Sequence, residues 1–155
     1  MKFVHQMTRL ACDPGRAYRF FTNPTYAKGW LGDFDQVTKA IDAPYHLRSK
    51  GDPAITLAGL VKEADHEKLL KITWEEGGQT HEWTLNFMKC RPDTEYCTEL
   101  HLMHKILGQD MPKEVYTAYN EKWKFLMEQV RQYQNKDWVI QDRELTQSWL
   151  RGRSL

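Results

Sequence analysis

The sequence predicts an α+β fold in which an antiparallel sheet is covered by one long C-terminal helix. Three observations carry this. Between Phe34 and Met103, apolar residues alternate in short runs bounded by turn signals, the period-two pattern of half-buried strands. From Pro112 the spacing changes to steps of three and four, through Val115, Tyr119, Trp123, Leu126, Val130 and Tyr133, which marks an amphipathic helix. A sheet with one apolar face needs a cover, and that helix is the one long element able to supply it.

The elements follow in order. "KFVHQMTRLAC" alternates imperfectly, through Phe3, His5, Met7 and then Leu10, and reads as a strand. In "DPGRAYRFFTN", Asp13 suits an N-cap and Pro14 the first helical position, Tyr18 and Phe21 give an apolar side, and Asn23-Pro24 ends the helix. "PTYAKGWLG" starts a second short helix at Pro24 that stops between Gly29 and Gly32, with Trp30 and Leu31 as anchors. Short strands follow in "FDQVTKAI" and "YHLRS", then a longer one in "AITLAGLVKEA", which the "DHEK" turn closes. "LLKITWEE" places Leu70, Ile72 and Trp74 on one face. Gly77-Gly78 signals a hairpin. "THEWTLNFMKC" then aligns His81, Trp83, Leu85 and Phe87. After "RPDTE", "YCTELHLMH" aligns Tyr96, Thr98, Leu100, Leu102 and His104, with Cys97, Glu99, His101 and Met103 on the other face. The polar side of the last helix carries Lys113, Glu114, Glu121, Lys122, Lys124 and Glu128. In the tail, Trp138, Leu145 and Trp149 fit one helical stripe.

Composition narrows the function classes. The 155 residues suit one domain. Twenty-two basic and 21 acidic residues leave a net charge of +1, which argues against a broad nucleic-acid or membrane footprint. No apolar run approaches the roughly 20 residues of a membrane span, and the opening "MKFVHQMTRL" has no apolar h-region, so a cytoplasmic protein is expected. Cys12, Cys90 and Cys97 lack zinc spacing and read as thiols in a reducing compartment, although Cys90 and Cys97 flank one turn.

His101 and His104 form H-x-x-H, a spacing that on a helix would place both rings on one face for a metal. On a strand the two rings point to opposite faces, so no metal site is expected here. No cofactor-binding loop is present either. Glu75, Glu76, Glu82 and Glu99 form an acidic group, with Arg48 and Lys50 on an earlier strand; these read as a solvated sheet face or, more sharply, a protein-contact surface.

Three stretches resemble one family. "NPTYAKGWLG" is similar to its helix-loop segment through Trp30, Leu31 and Gly32. "GLVKEADHEKLLKITW" is similar to its central hairpin through Gly59, Val61, Glu63, Asp65, Lys68, Leu69, Ile72, Thr73 and Trp74. "TELHLMH" is similar to its following strand through Thr98, Leu100, Leu102 and His104, and Trp123 suits its last helix. The family is the SRPBCC superfamily (START-like, similar to the birch-pollen allergen fold), and the branch is the one named for the activator of a heat-shock chaperone ATPase. The chain departs from that branch in having His66-Glu67 where a proline pair is usual, and in a glycine delayed to Gly108.

The resemblance implies a curved antiparallel β-sheet wrapped around a long C-terminal helix (a helix grip), with two short helices after the first strand. It implies a domain over residues 1–136 and a C-terminal extension, helical, over 137–155. It further implies a small apolar or aromatic ligand held in a cavity between sheet and helix, with Trp74, Trp83, Leu85, Phe87, Leu100, Leu102, His104, Tyr119 and Trp123 as binding residues. Most of these must also serve as core. Alternatives are a polyketide cyclase or aromatase-like enzyme using His104, His81 and Tyr119 for proton transfer, and a stress protein that contacts a chaperone. Tyr45 is a further hydrogen-bond donor for a ligand. Trp138 and Trp149 must pack somewhere: over the pocket mouth, on the back of the sheet, or in a homodimer.

Overall fold

The structure, a computed structural model, describes residues 3–27, 30–35, 40–90 and 97–153, with 31–35 and 135–153 as backbone alone. Strand β1 (Val4–Leu10) leads into helices α1 (Pro14–Thr22) and α2 (Pro24–Ala27). Strands β2 (Leu31–Asp35), β3 (Pro44–Ser49), β4 (Thr56–Asp65), β5 (Leu69–Glu76), β6 (Gln79–Lys89) and β7 (Thr98–Ile106) follow, and α3 (Lys113–Arg153) ends the chain. The strands form one sheet in the order β1-β7-β6-β5-β4-β3-β2, with every pair antiparallel. The order is a meander from β2 to β7, and β1 closes the free edge of β7. The sheet curls around α3, as expected for a helix grip.

Local chemistry explains the punctuation. Asp13 is extended and Pro14 begins α1, although the Asp13 side chain makes no capping bond. Asn23 ends α1 and caps α2, its Oδ1 accepting from Thr25 N at 2.9 Å. Two side chains then hold the end of α1: Trp30 Nε1 donates to Phe20 O at 2.9 Å and Tyr45 Oη to Phe21 O at 2.6 Å. Gly77 and Gly78, at φ +60° and +77°, supply the two left-handed positions of a two-residue hairpin between β5 and β6.

Gly59 matters for a different reason. A Cβ there would lie 2.4 Å from Thr73 O and 2.7 Å from Ile72 Cγ2, just before the register of β4 and β5 shifts between Val61 and Glu63. Gly59→Ala is therefore expected to lower the unfolding free energy by about 1–3 kcal/mol through overpacking. An unchanged urea midpoint would show that the two strands can separate at no cost.

One strand face is set by register rather than hydropathy, and one sequence expectation needs correction. The Phe3, His5 and Met7 alternation that marks β1 as a strand runs along its outer face, where Phe3 and Met7 are exposed. Register explains this. Gln6 pairs with Leu102, Thr8 with Leu100 and Leu10 with Thr98, so the even-numbered residues share the inward face of β7. The polar Gln6 is accommodated there because its Nε2 donates to Asn120 Oδ1 on α3 at 2.7 Å. The correction concerns the cysteines. Cys90 and Cys97 are joined in a disulfide rather than held as two thiols, because β6 and β7 pair up to Lys89 and Thr98 and leave the two Cα atoms 5.3 Å apart.

The core lies between the concave sheet face and α3. Trp83, Leu85, Leu100 and Leu102 from the sheet meet Trp123, Leu126 and Val130, and all are fully buried. Gln134 is buried as well, and it fastens the helix to the end of β1 with two bonds. Its Oε1 accepts from Ala11 N at 2.7 Å and its Nε2 donates to Ala11 O at 2.9 Å. Strand β2 begins at Leu31, three residues before the expected Phe34, and its expected continuation through residues 36–39 lies outside the described residues, as does Tyr96. The side chains of Trp138, Leu145 and Trp149 also lie outside them. Among the described residues no helix is long and apolar enough to cross a membrane.

Candidate functional site

Where the β5–β6 hairpin meets the first turns of α3, five rings converge. Trp74 stacks on His81 with centroids 5.3 Å apart and planes 16° apart. Tyr119 lies edge-on to His104 at 4.4 Å and stacks on Trp123 at 5.9 Å. Trp74 closes the group, 5.0 Å from His104 and 6.2 Å from Tyr119. The sheet period causes this, since Trp74 and His81 are cross-strand partners and Trp83 pairs with His104. The helix period supplies Tyr119 and Trp123 at i, i+4.

Hydrogen bonds through this group have one direction. Trp123 Nε1 is a donor only, and it donates to His104 Nδ1 at 2.9 Å. That nitrogen therefore carries no proton, so the neutral ring is protonated at Nε2. His104 Nε2 lies 2.8 Å from His81 Nδ1 and must be the donor. His81 in turn keeps its proton on Nε2, which faces Glu76 Oε2 at 3.8 Å. A second chain meets the same carboxylate, with Tyr119 Oη donating to Glu76 Oε1 at 2.7 Å.

Electrostatics agree with two neutral imidazoles. Burial lowers the His104 pKa from 6.5 to about 3, and the nearby His81 and Lys122 charges push the same way. Burial also lowers the His81 pKa, with Glu76 and Glu75 opposing the shift. Burial, followed by the bond to Glu76 and its charge, raises the Tyr119 pKa, while the Trp74 indole offsets part of the rise. Lys122 lays its ammonium 4.9 Å from the Trp123 centroid and 5.5 Å from that of Tyr119. Burial lowers its pKa and Glu76 partly restores it.

Exposure divides the expected site residues. His104 is 0 % exposed, with both ring nitrogens engaged inside the protein. Trp83, Leu85, Phe87, Leu100, Leu102 and Trp123 are likewise buried in the core. Trp74 and Tyr119 are half-buried and reach the edge. Tyr45 is committed elsewhere, to α1. His101 points outward, sharing a proton with His5 across 3.0 Å and reaching Glu99 at 3.2 Å. Among the described residues no three His, Cys, Asp or Glu side chains converge to hold a metal.

Two residues at the edge escaped the sequence reading. Glu76, whose side chain is 52 % exposed, belongs with the inward series Leu70, Ile72 and Trp74 by parity and not with the outer acidic face. Glu82 and Glu99 do lie on that outer face, beside Lys105 and Arg9. Lys122 was assigned to the polar side of α3, yet it is half-buried over two aromatic rings. The outer face also carries an open groove of about 670 Å³ whose lining includes Leu60, Thr73, Trp74, Glu75, Glu82 and Leu107.

The sequence matches no family model and no curated protein. Solved structures do match it. A START superfamily protein from Mycobacterium smegmatis superposes with a TM-score of 0.62 at 10% identity, over 86% of this chain and 97% of that one. The chain has the START-like helix-grip fold. A Mesorhizobium loti protein superposes with a TM-score of 0.62 at 18% identity, over 86% of this chain and 97% of that one. DynU16, from the dynemicin biosynthetic locus, gives a TM-score of 0.66 at 13% identity over 86% of this chain and 47% of its own. The chain thus spans about half the length of DynU16.

Proposed function

We propose that this START-like chain binds a small apolar aromatic molecule where Trp74 and Tyr119 reach the surface. The observation that supports it is the half-buried pair of rings backed by His81, His104 and Trp123. Aromatic faces at an edge offer stacking area at low entropic cost, and Glu76 and Lys122 beside them supply a few polar groups to orient a guest.

Two other readings have narrower support. An enzyme of the polyketide cyclase type would use His81 as its base, since that imidazole faces a carboxylate. His104, enclosed and doubly bonded, would then position His81 without touching substrate. A chaperone-contact role is supported by the three sequence stretches given above.

The binding reading is tested by titrating 2-naphthol into ¹⁵N-labelled protein. The expected result is a saturable shift of the Trp74 and Trp123 indole N–H resonances. Shifts that never saturate, or that leave these indoles unmoved, would remove it.

A further inference from the structure

The direction of the hydrogen bonds says what kind of guest the edge accepts. Trp123 has a single fixed donor, and it sets the tautomer of His104, which sets that of His81. The protons of that chain therefore all point away from the core and toward Glu76. Tyr119 spends its hydroxyl proton on the same carboxylate. A donor on α3 bonds this carboxylate and a donor on the sheet faces it. Reversing either chain would set the Trp123 N–H against a protonated His104 Nδ1, or take the Tyr119 proton away from a charged acceptor.

The carboxylate is not filled by these contacts. It has about four acceptor positions, and among the described residues one is taken by Tyr119 at bonding distance and one is faced by His81 at 3.8 Å. It is also the exposed end of both chains. A ligand carbonyl has no proton to give this carboxylate, and an anionic ligand would be repelled by it. A neutral hydroxyl on an aromatic or enolic ring fits the charge. It donates to Glu76, its ring lies against Trp74 and Tyr119, and its own lone pairs face the Lys122 cation.

Resting on the binding reading above, we propose that Glu76 is the specificity-determining residue of this site, selecting apolar guests that carry a neutral O–H donor, namely phenols and enols. His81 and His104 are positioning residues that keep a proton directed at that carboxylate.

The test compares 2-naphthol with 2-methoxynaphthalene, which has the same ring system without the donor. The wild-type protein is expected to bind 2-naphthol about tenfold more tightly or better, the scale of a hydrogen bond to a charged acceptor. In Glu76→Ala the ratio is expected to fall close to one. Equal affinities in the wild type would overturn the donor requirement while leaving aromatic binding standing. A preference that survives in Glu76→Ala would overturn the assignment to Glu76. Binding of neither probe would overturn this inference together with the binding reading. A ligand-free readout is the imidazole ¹⁵N spectrum at pH 7, where both His81 and His104 are expected as neutral rings protonated at Nε2. A His104 ring protonated at Nδ1 would overturn the direction of the chain.

Discussion

Acidification below pH 6.5 will destabilise the protein by on the order of 1 kcal/mol per pH unit through His104 alone. The sign follows from the lowered pKa. The folded ring stays neutral to about pH 3, whereas the unfolded ring takes up a proton near 6.5. Between those values the unfolded state holds the extra proton, so the contribution is complete above pH 6.5 and is lost as the pH falls toward 3. Near pH 5 the loss is about 2 kcal/mol, a large part of the roughly 5–15 kcal/mol of an ordinary domain. His81, lowered by burial, adds in the same direction. The geometry gives the cause. A second proton on His104 has to displace the Trp123 N–H from Nδ1, and one on His81 Nδ1 has to displace His104 Nε2–H. Urea midpoints at pH 7, 6 and 5 measure the effect, and His104→Gln, which does not titrate, is expected to flatten the profile. Identical slopes in the two proteins would show that the His104 ring is not enclosed.

The largest single loss is expected at Trp123. Its side chain is fully buried and touches Trp83, with centroids 5.8 Å apart, as well as His104 and Tyr119. Trp123→Ala combines a cavity with the loss of that packing and is expected to cost about 3–5 kcal/mol. Trp123→Phe separates the terms, because it keeps most of the volume and deletes the indole N–H. His104 Nδ1 is then a buried acceptor without its donor, at a cost of about 1–3 kcal/mol. The same variant frees the two imidazoles to exchange tautomers, which their ¹⁵N shifts report. A Trp123→Phe protein as stable as wild type, with unaltered shifts, would show that the indole bond does not set the chain's direction.

Much of this arrangement was legible in the sequence because β-strand parity is so constraining. Once Gly77-Gly78 fixed the β5–β6 hairpin, Trp74 had to face the same side as His81, and His104 followed from the row through Leu100 and Leu102. The same logic separated His101 from His104 and removed the metal pair that H-x-x-H suggests on a helix. Hydropathy is a poor guide to faces where charge and register disagree. In β1 the apolar residues Phe3 and Met7 are outside and polar Gln6 is inside, since pairing with β7 and a partner on α3 outweigh hydropathy. Glu76 is solvent-exposed as its charge suggests, yet its parity sets it on the side of Trp74 rather than with Glu82 and Glu99. Lys122 fits the polar side of the helix by charge, yet it is half-buried with its ammonium over the Tyr119 and Trp123 rings. The Cys90–Cys97 pair depended on how far β6 and β7 stay paired, which no local pattern reveals.

The central claim is a location: an aromatic guest sits at the edge formed by Trp74 and Tyr119. The most direct measurement is the set of intermolecular nuclear Overhauser effects between 2-naphthol ring protons and the protein at saturation. Contacts to the ring protons of Trp74 and Tyr119 are the predicted result. Contacts confined to Leu60 and Leu107, in the groove on the opposite face of the sheet, would contradict it.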